Sequence, residues 1–205
     1  PKPVLMMKNL IIDRITMVGN GRHMRLRLRS GRSGINAIYF SANPETASIR
    51  QGDVVDVAFN PQINEFRGER SVQMNILDIR PHCSAEASGE IAAYQALRRN
   101  QLTAADAAAL LPDRNTLAMI WRYLAAAPAP IWESPMCLCR KIVRWSGTPM
   151  NLGQLMVCLD IFSDVGLLQA QRQHKYLSIT LTPGNQKADL NTSATMQVLQ
   201  RMKES

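Results

Sequence analysis

Residues that usually carry redox, metal or disulfide chemistry are scarce in this chain of 205 residues, with four cysteines and three histidines, and aromatics make up only 5% of it. Cys83, Cys137, Cys139 and Cys158 are too few and too irregularly spaced for a disulfide framework. Cys137 and Cys139 form a C-x-C pair, but no second Cys or His pair completes a zinc set, and His23, His82 and His174 are scattered. The expected state is reduced thiols packed as small hydrophobes, in the cytoplasm. No apolar run approaches the roughly 18 residues of a membrane span. The opening Pro1-Lys2-Pro3 has no charged-then-apolar leader and reads as part of something longer.

Catalytic signatures are also missing. Gly19-Asn20-Gly21 lacks the third glycine and the following helix of a dinucleotide site, and there is no P-loop. Asp53 and Asp56 have opposite strand phases and form no dyad. Asp160 and Asp164 lie four apart on a predicted helix without a third ligand, and a solvated face is expected there. No serine or histidine stands in a recognisable nucleophile context. These residues therefore predict no catalytic site and no bound metal.

Positive charge, by contrast, is in surplus. Lys and Arg number 24 against 16 Asp and Glu, giving a formal charge of +8 and a pI near 9.7, which favours a polyanionic partner. The 46% hydrophobic content is that of a globular protein with one or two domains. The chain divides near residue 85, where Pro81-His82-Cys83-Ser84-Ala85-Glu86-Ala87-Ser88-Gly89 reads as a linker. The surplus is equal on the two sides, so placement rather than net charge must identify the binding surface.

Before the linker, residues 1–85 predict five strands at about 8–18, 22–29, 35–40, 53–63 and 70–80. Three strands, a connector around Asn43-Pro44-Glu45 and two more strands is the order of an OB-type barrel, with an SH3-like barrel as the alternative. After it, an Ala-rich helical region is expected at 89–111. Helices follow at 114–126 (capped by Asp113), from Ser134 to Ser146, and at 149–165. Strands at 167–171 and 176–182 and a last helix at 193–203 complete residues 90–205. Three helices followed by a β-hairpin is a winged-helix-like pattern. The whole chain is thus read as α+β: an OB-type barrel, then a mostly helical winged-helix-like domain.

The most informative segment is Arg22-His23-Met24-Arg25-Leu26-Arg27-Leu28-Arg29. Strand alternation puts His23, Arg25, Arg27 and Arg29 on one side and Met24, Leu26 and Leu28 on the other, facing a core. Arg32 extends the basic side into the next turn, and no acidic residue occurs between Arg14 and Glu45. Such a face is an electrostatic track for a phosphate backbone, against the plainer reading of a solvated strand. Arg67 and Arg70 add charge near a later turn. Tyr39, opposite in phase to Ile38 and Phe40, and Phe66 at that turn are the aromatics proposed to stack on bases, against the alternatives of a packed barrel residue or a turn anchor. On the second half, the 149–165 helix has two aspartates and no Lys or Arg, a poor composition for reading duplex DNA. Arg140, Lys141 and Arg144 on the preceding helix and Arg172, His174 and Lys175 in the wing turn are the basic groups there.

Several of these segments resemble a known family. Val57-Ala58-Phe59-Asn60, Ile63-Asn64-Glu65-Phe66-Arg67-Gly68-Glu69-Arg70-Ser71-Val72-Gln73 and Asp78-Ile79-Arg80 are similar to the OB-domain signature of the bacterial exonuclease RecJ. His23-Met24-Arg25-Leu26 and Ala37-Ile38-Tyr39-Phe40 match its earlier strands. Leu111-Pro112-Asp113-Arg114, Phe162-Ser163-Asp164-Val165-Gly166-Leu167 and Asp189-Leu190-Asn191-Thr192-Ser193 resemble the extra C-terminal domain of Firmicutes-type members. The resemblance implies a parent enzyme that degrades single-stranded DNA 5′ to 3′ in recombination and repair. Its Mn2+- or Mg2+-dependent catalytic core would lie outside these residues, which are expected to be non-catalytic. The resemblance assigns them the role of gripping single-stranded DNA, with single-strand-binding protein or another repair protein as a partner of the C-terminal domain. A non-enzymatic regulator built from an OB barrel and a winged helix is the alternative.

Overall fold

A computed structural model of the chain describes residues 2–204 except 46, 67, 174, 175 and 185–187, and leaves the side chains of Phe66, Glu69, Ala85 and Glu86 undescribed. Two compact units are present, Pro1–His82 and Cys83–Ser205.

The first unit has five strands: β1 (Leu5–Val18), β2 (His23–Ser30), β3 (Ser33–Tyr39), β4 (Val54–Phe66) and β5 (Glu69–Pro81). They close in the order β1-β2-β3-β5-β4, with β3 and β5 parallel and the other pairs antiparallel. This is the OB order, and it removes the SH3-like alternative. Inward alternation fills the barrel with Leu10 and Ile12, with Met24, Leu26 and Leu28, and with Val55, Val57 and Phe59. Ile49, from the β3–β4 connector, joins this core. The described residues of the connector lie in turns, tied by the Ile49 N–H to the Pro44 carbonyl at 3.1 Å.

Closure needs β1 to pair with β4 through its first half and with β2 through its second. Two register shifts bend it, one between Met7 and Leu10 and one between Ile12 and Arg14. Asn9 takes the left-handed conformation at the first (φ 59°), which asparagine tolerates better than most residues. Its N–H, taken from the ladder, donates to Asp56 Oδ1 at 3.1 Å. Asp56 is only 5% exposed, and the same oxygen lies 2.7 Å from His82 Nδ1, with Arg80 Nε 3.7 Å from Oδ2. Burial works to raise its pKa. The His82 hydrogen bond, the Asn9 N–H and the charges of His82 and Arg80 outweigh that and hold the carboxyl below its ordinary value. His82 and the buried Pro81 are thus part of the barrel's closure, not of a linker.

The second unit contains α1 (Ala85–Arg98), α2 (Ala104–Leu110), α3 (Arg114–Ala126), β6 (Ile131–Glu133), α4 (Pro135–Ser146), α5 (Leu152–Asp164), β7 (Leu168–Gln173), β8 (Tyr176–Leu181) and α6 (Ala194–Lys203). The expected linker is largely helix, since Ser84 caps α1 by accepting the Ala87 N–H. The expected Ala-rich helical region consists of two helices. Asn100 turns left-handed (φ 55°), and Thr103 and Asp106 form a capping box that starts α2 afresh. β6, unforeseen because it is only three residues between prolines, pairs with β8 and gives a sheet of order β6-β8-β7.

α5 is the centre of this unit, with Leu152, Leu155, Val157, Cys158, Leu159, Ile161 and Phe162 buried. At its start a Cβ on Gly153 would lie 2.9 Å from the Glu90 carbonyl, and Glu90 Oε2 accepts the Leu152 N–H at 2.7 Å. Of the two aspartates expected on a solvated face, Asp164 is exposed and Asp160 half-buried, and both are hydrogen-bonded to other elements. Asp160 accepts from the Tyr94 hydroxyl at 2.8 Å, with Arg98 Nη1 at 3.6 Å, and burial raises its pKa against those two groups. Asp164 accepts from the Ser193 hydroxyl at 2.7 Å and the Thr195 N–H at 2.9 Å, bonds that outweigh burial and lower its pKa. Cys139 and Cys158 are buried, and burial pushes the Cys139 thiol up to about 12.

The Asp56 arrangement has a measurable consequence. Asn at position 56 loses the charge-assisted bonds and should destabilise the barrel by about 2–3 kcal/mol at pH 7. Because the folded carboxyl lies below the unfolded value near 3.8, its contribution is complete above that pH and fades as pH falls through the folded pKa. Urea unfolding followed by circular dichroism should show wild type and D56N converging below pH 4. A constant gap from pH 7 to pH 2 would contradict this account.

Candidate nucleic-acid interface

β2 is shaped by its alternation: Met24, Leu26 and Leu28 are buried, while Arg25 and Arg27 are exposed and His23 and Arg29 half-buried. The register extends this face across the barrel. Arg14 on β1, Arg27 on β2, Asn36 on β3 and Gln73 on β5 align in one row. Thr16, Arg25, Ile38 and Asn75 align in the next. Asp13, Arg14, Thr16, Arg25, Arg27 and Asn36 line a shallow groove of about 500 Å³.

The arginines are not equivalent. Arg29 Nε donates to Asp13 Oδ1 at 3.0 Å and its Nη1 to the Gly31 carbonyl at 3.2 Å, so its charge is already met by a carboxylate. Arg27 Nη1 donates to Asn36 Oδ1 at 3.1 Å, and its guanidinium lies over Gly34, where a Cβ would come within 2.6 Å of Nη2. A neutral amide and a glycine therefore position Arg27 while leaving its charge unneutralised. Among the described residues no carboxylate pairs with Arg14, Arg25 or Arg27. Arg14 was missed in the sequence because it stands alone on β1; only the register sets it opposite Arg27. Asn36, Gln73 and Asn75 were missed for the same reason.

The remaining expected residues take varied places. Arg22 is exposed beside the β1–β2 turn, its Nε donating to the Gly19 carbonyl at 3.3 Å, and Arg32 is exposed in the β2–β3 turn. His23 Nδ1 accepts the Ser41 N–H at 3.0 Å, and its ring meets Phe40 edge-on at 5.1 Å. Tyr39 takes the packed alternative. It pairs with inward-facing Met24 and packs against the barrel core, because Ala37 and Tyr39 share the buried phase. Phe40 is the aromatic left outside, 49% exposed. Arg70 is exposed on the β4–β5 hairpin and paired with Glu65 at 3.4 Å. Phe66 ends β4 with its side chain outside the described part, and Arg67 lies outside the described residues altogether.

On the second unit Lys141 is paired with Glu133 on β6. Arg172 is exposed at the end of β7, and His174 and Lys175 lie outside the described residues. No three His, Cys, Asp or Glu side chains among the described residues are grouped to hold a metal ion.

These features define the first unit as an OB barrel with an acid-poor arginine and amide face. Residues 1–78 match the family model of the RecJ OB domain. No curated protein matches the chain. Solved structures similar to it include the second single-stranded DNA binding protein of Mycobacterium smegmatis, at 21% identity over 38% of this chain and 84% of that one, TM-score 0.33. Mitochondrial Rim1 of S. cerevisiae is 17% identical over 40% and 95% of the two chains, TM-score 0.33. Asparaginyl-tRNA synthetase from Pyrococcus horikoshii is 10% identical over 87% and 39%, TM-score 0.32.

Arg14, Arg25 and Arg27 define the testable group. If each meets one phosphate of a single strand, R14Q/R25Q/R27Q should flatten the slope of log affinity against log salt by about 2, at roughly 0.7 per contact. R29Q should flatten it by less, because Asp13 already neutralises that side chain. Anisotropy of labelled oligo-dT from low to moderate salt measures both, with circular dichroism confirming an intact barrel. Equal effects of R29Q and any one of the three would refute the distinction.

Proposed function

We propose that the chain is the DNA-binding accessory region of a RecJ-like, 5′-to-3′ single-stranded-DNA exonuclease acting in recombination and repair in the cytoplasm. The observation that carries this reading is that the acid-poor row of Arg14, Arg27 and Asn36, with Arg25 beside it, lies within the residues matching the RecJ OB domain. OB barrels bind oligonucleotides across the β2–β3 face and the adjoining loops, where Arg25 and Arg27 stand with Arg14 beside them on β1. Stacking and phosphate contact need no base-pair reading, which suits an enzyme that must accept any strand. In this reading the barrel holds the strand and passes it to a catalytic core elsewhere in the parent protein, where Mn2+ or Mg2+ would be bound. In this reading these residues supply grip, and hydrolysis belongs to that core.

We read the second unit as a winged helix. Its succession α3-β6-α4-α5-β7-β8 and sheet order β6-β8-β7 support this, with β6 as the strand that completes the sheet. The helix that would enter a major groove is α5, and it is buried among its neighbours with both aspartates engaged. That engagement, with no Lys or Arg on α5, supports reading the unit as something other than a sequence reader of duplex DNA.

Three measurements test this reading. The purified chain should bind oligo-dT more tightly than a duplex of equal length, with a salt slope of about −2 to −3.5 for three to five phosphates. It should release no nucleotides with manganese. Selection from random duplexes should return no consensus. Equal affinity for duplex and single strand would overturn the single-strand role, and manganese-dependent cleavage by nuclease-free protein would overturn the accessory role.

A further inference from the structure

The three-stranded sheet of the second unit turns one side inward through Ile131, Leu168, Leu177 and Ile179, all buried. Its other side faces out. The register places Trp132 opposite Ser178, Ser178 opposite Gln171, and Tyr176 opposite Gln173, with Gln169 at the far end of β7. Trp132 is 48% exposed and Tyr176 36%, and their ring centroids are 6.1 Å apart with planes inclined by only 30°. Two near-parallel rings on adjacent strands, set among amide side chains on an open sheet, offer planar apolar area and hydrogen-bonding groups together.

Charge narrows the occupant. None of these outward side chains is acidic. The nearest carboxylate in sequence, Glu133, has the opposite phase, facing buried Leu177 across the ladder, and is paired with Lys141. Arg172, likewise opposite Leu177, belongs to that other side as well. A neutral aromatic and amide surface with no acidic side chain among these residues, on a chain of formal charge +8, is compatible with a polyanion whose flat groups are unpaired.

We propose that this sheet face is a second contact for single-stranded DNA, with unpaired bases stacking on Trp132 and Tyr176 and the glutamine amides reaching base edges. The inference rests on the single-strand reading of the chain, but it engages different residues through different physics. Stacking responds weakly to salt, whereas the barrel arginines respond strongly.

The test uses the full chain and a 30-nucleotide oligo-dT, read by tryptophan emission and by anisotropy. Wild type should show quenching on binding, and W132F should lose most of it. W132A/Y176A should bind about 5- to 100-fold more weakly while keeping the wild-type salt slope. R14Q/R25Q/R27Q should flatten the slope yet retain the Trp132 quench once saturated. Q171E/Q173E keeps both rings and should also weaken binding, which guards against misfolding of the ring variants. Salt-dependent binding with the quench and affinity unchanged in W132F and W132A/Y176A would overturn the sheet contact and leave the barrel reading standing. No binding of the oligonucleotide by wild type would overturn both. Quenching of Trp132 by a neutral oligosaccharide and not by oligo-dT would assign the platform to a different ligand and overturn the proposal.

Discussion

Everything in the first unit depends on β1 pairing with two strands at once. A straight strand could serve β2 or β4 but could not close the barrel between them, so β1 bends at Asn9 and again near Asp13. The first bend strips a backbone N–H of its ladder partner, and Asp56 supplies the acceptor while also engaging His82 and Arg80. The second bend sets the phase in which Arg14 meets Arg27. One strand's irregularities thus secure the closure of the fold and compose the charged face on it.

Electrostatics on that face is a matter of which neighbours are charged. Arginines side by side repel, and the usual relief is a carboxylate between them. Here Asp13 relieves Arg29 at the edge, whereas Arg27 is held by the neutral oxygen of Asn36 and rests over Gly34. Positioning by a neutral group keeps the charge available for a phosphate, and the fixed geometry lowers the entropy lost on binding. The β4–β5 hairpin, with Ile63 and Val72 exposed and paired across it, is a further open surface on this unit.

The second unit spends its acidic residues on assembly. Glu90 holds the start of α5, Asp160 ties it to α1, and Asp164 ties its end to α6. These contacts make α5 the centre of the core. The helix whose acidity argued against duplex reading is mostly buried, and its aspartates are engaged by other helices.

Alternation and capping were legible in the sequence because they act over a few residues. Met24, Leu26 and Leu28 against Arg25 and Arg27, Asp113 at the start of α3 and Ser134 before Pro135 at the start of α4 all declare themselves within a turn or a strand. Cross-strand facts did not. The order of strands in the barrel, Arg14 opposite Arg27, Tyr39 turned inward while Phe40 stays out, and the burial of Asp56 beside His82 all depend on register and closure between segments far apart in the chain. Asp160 and Asp164 make the same point. Their four-residue spacing placed them on one side of a helix, but only the packing of α1 and α6 decided that Asp160 is half-buried and that each finds a hydrogen-bond partner, because burial depends on what arrives from elsewhere.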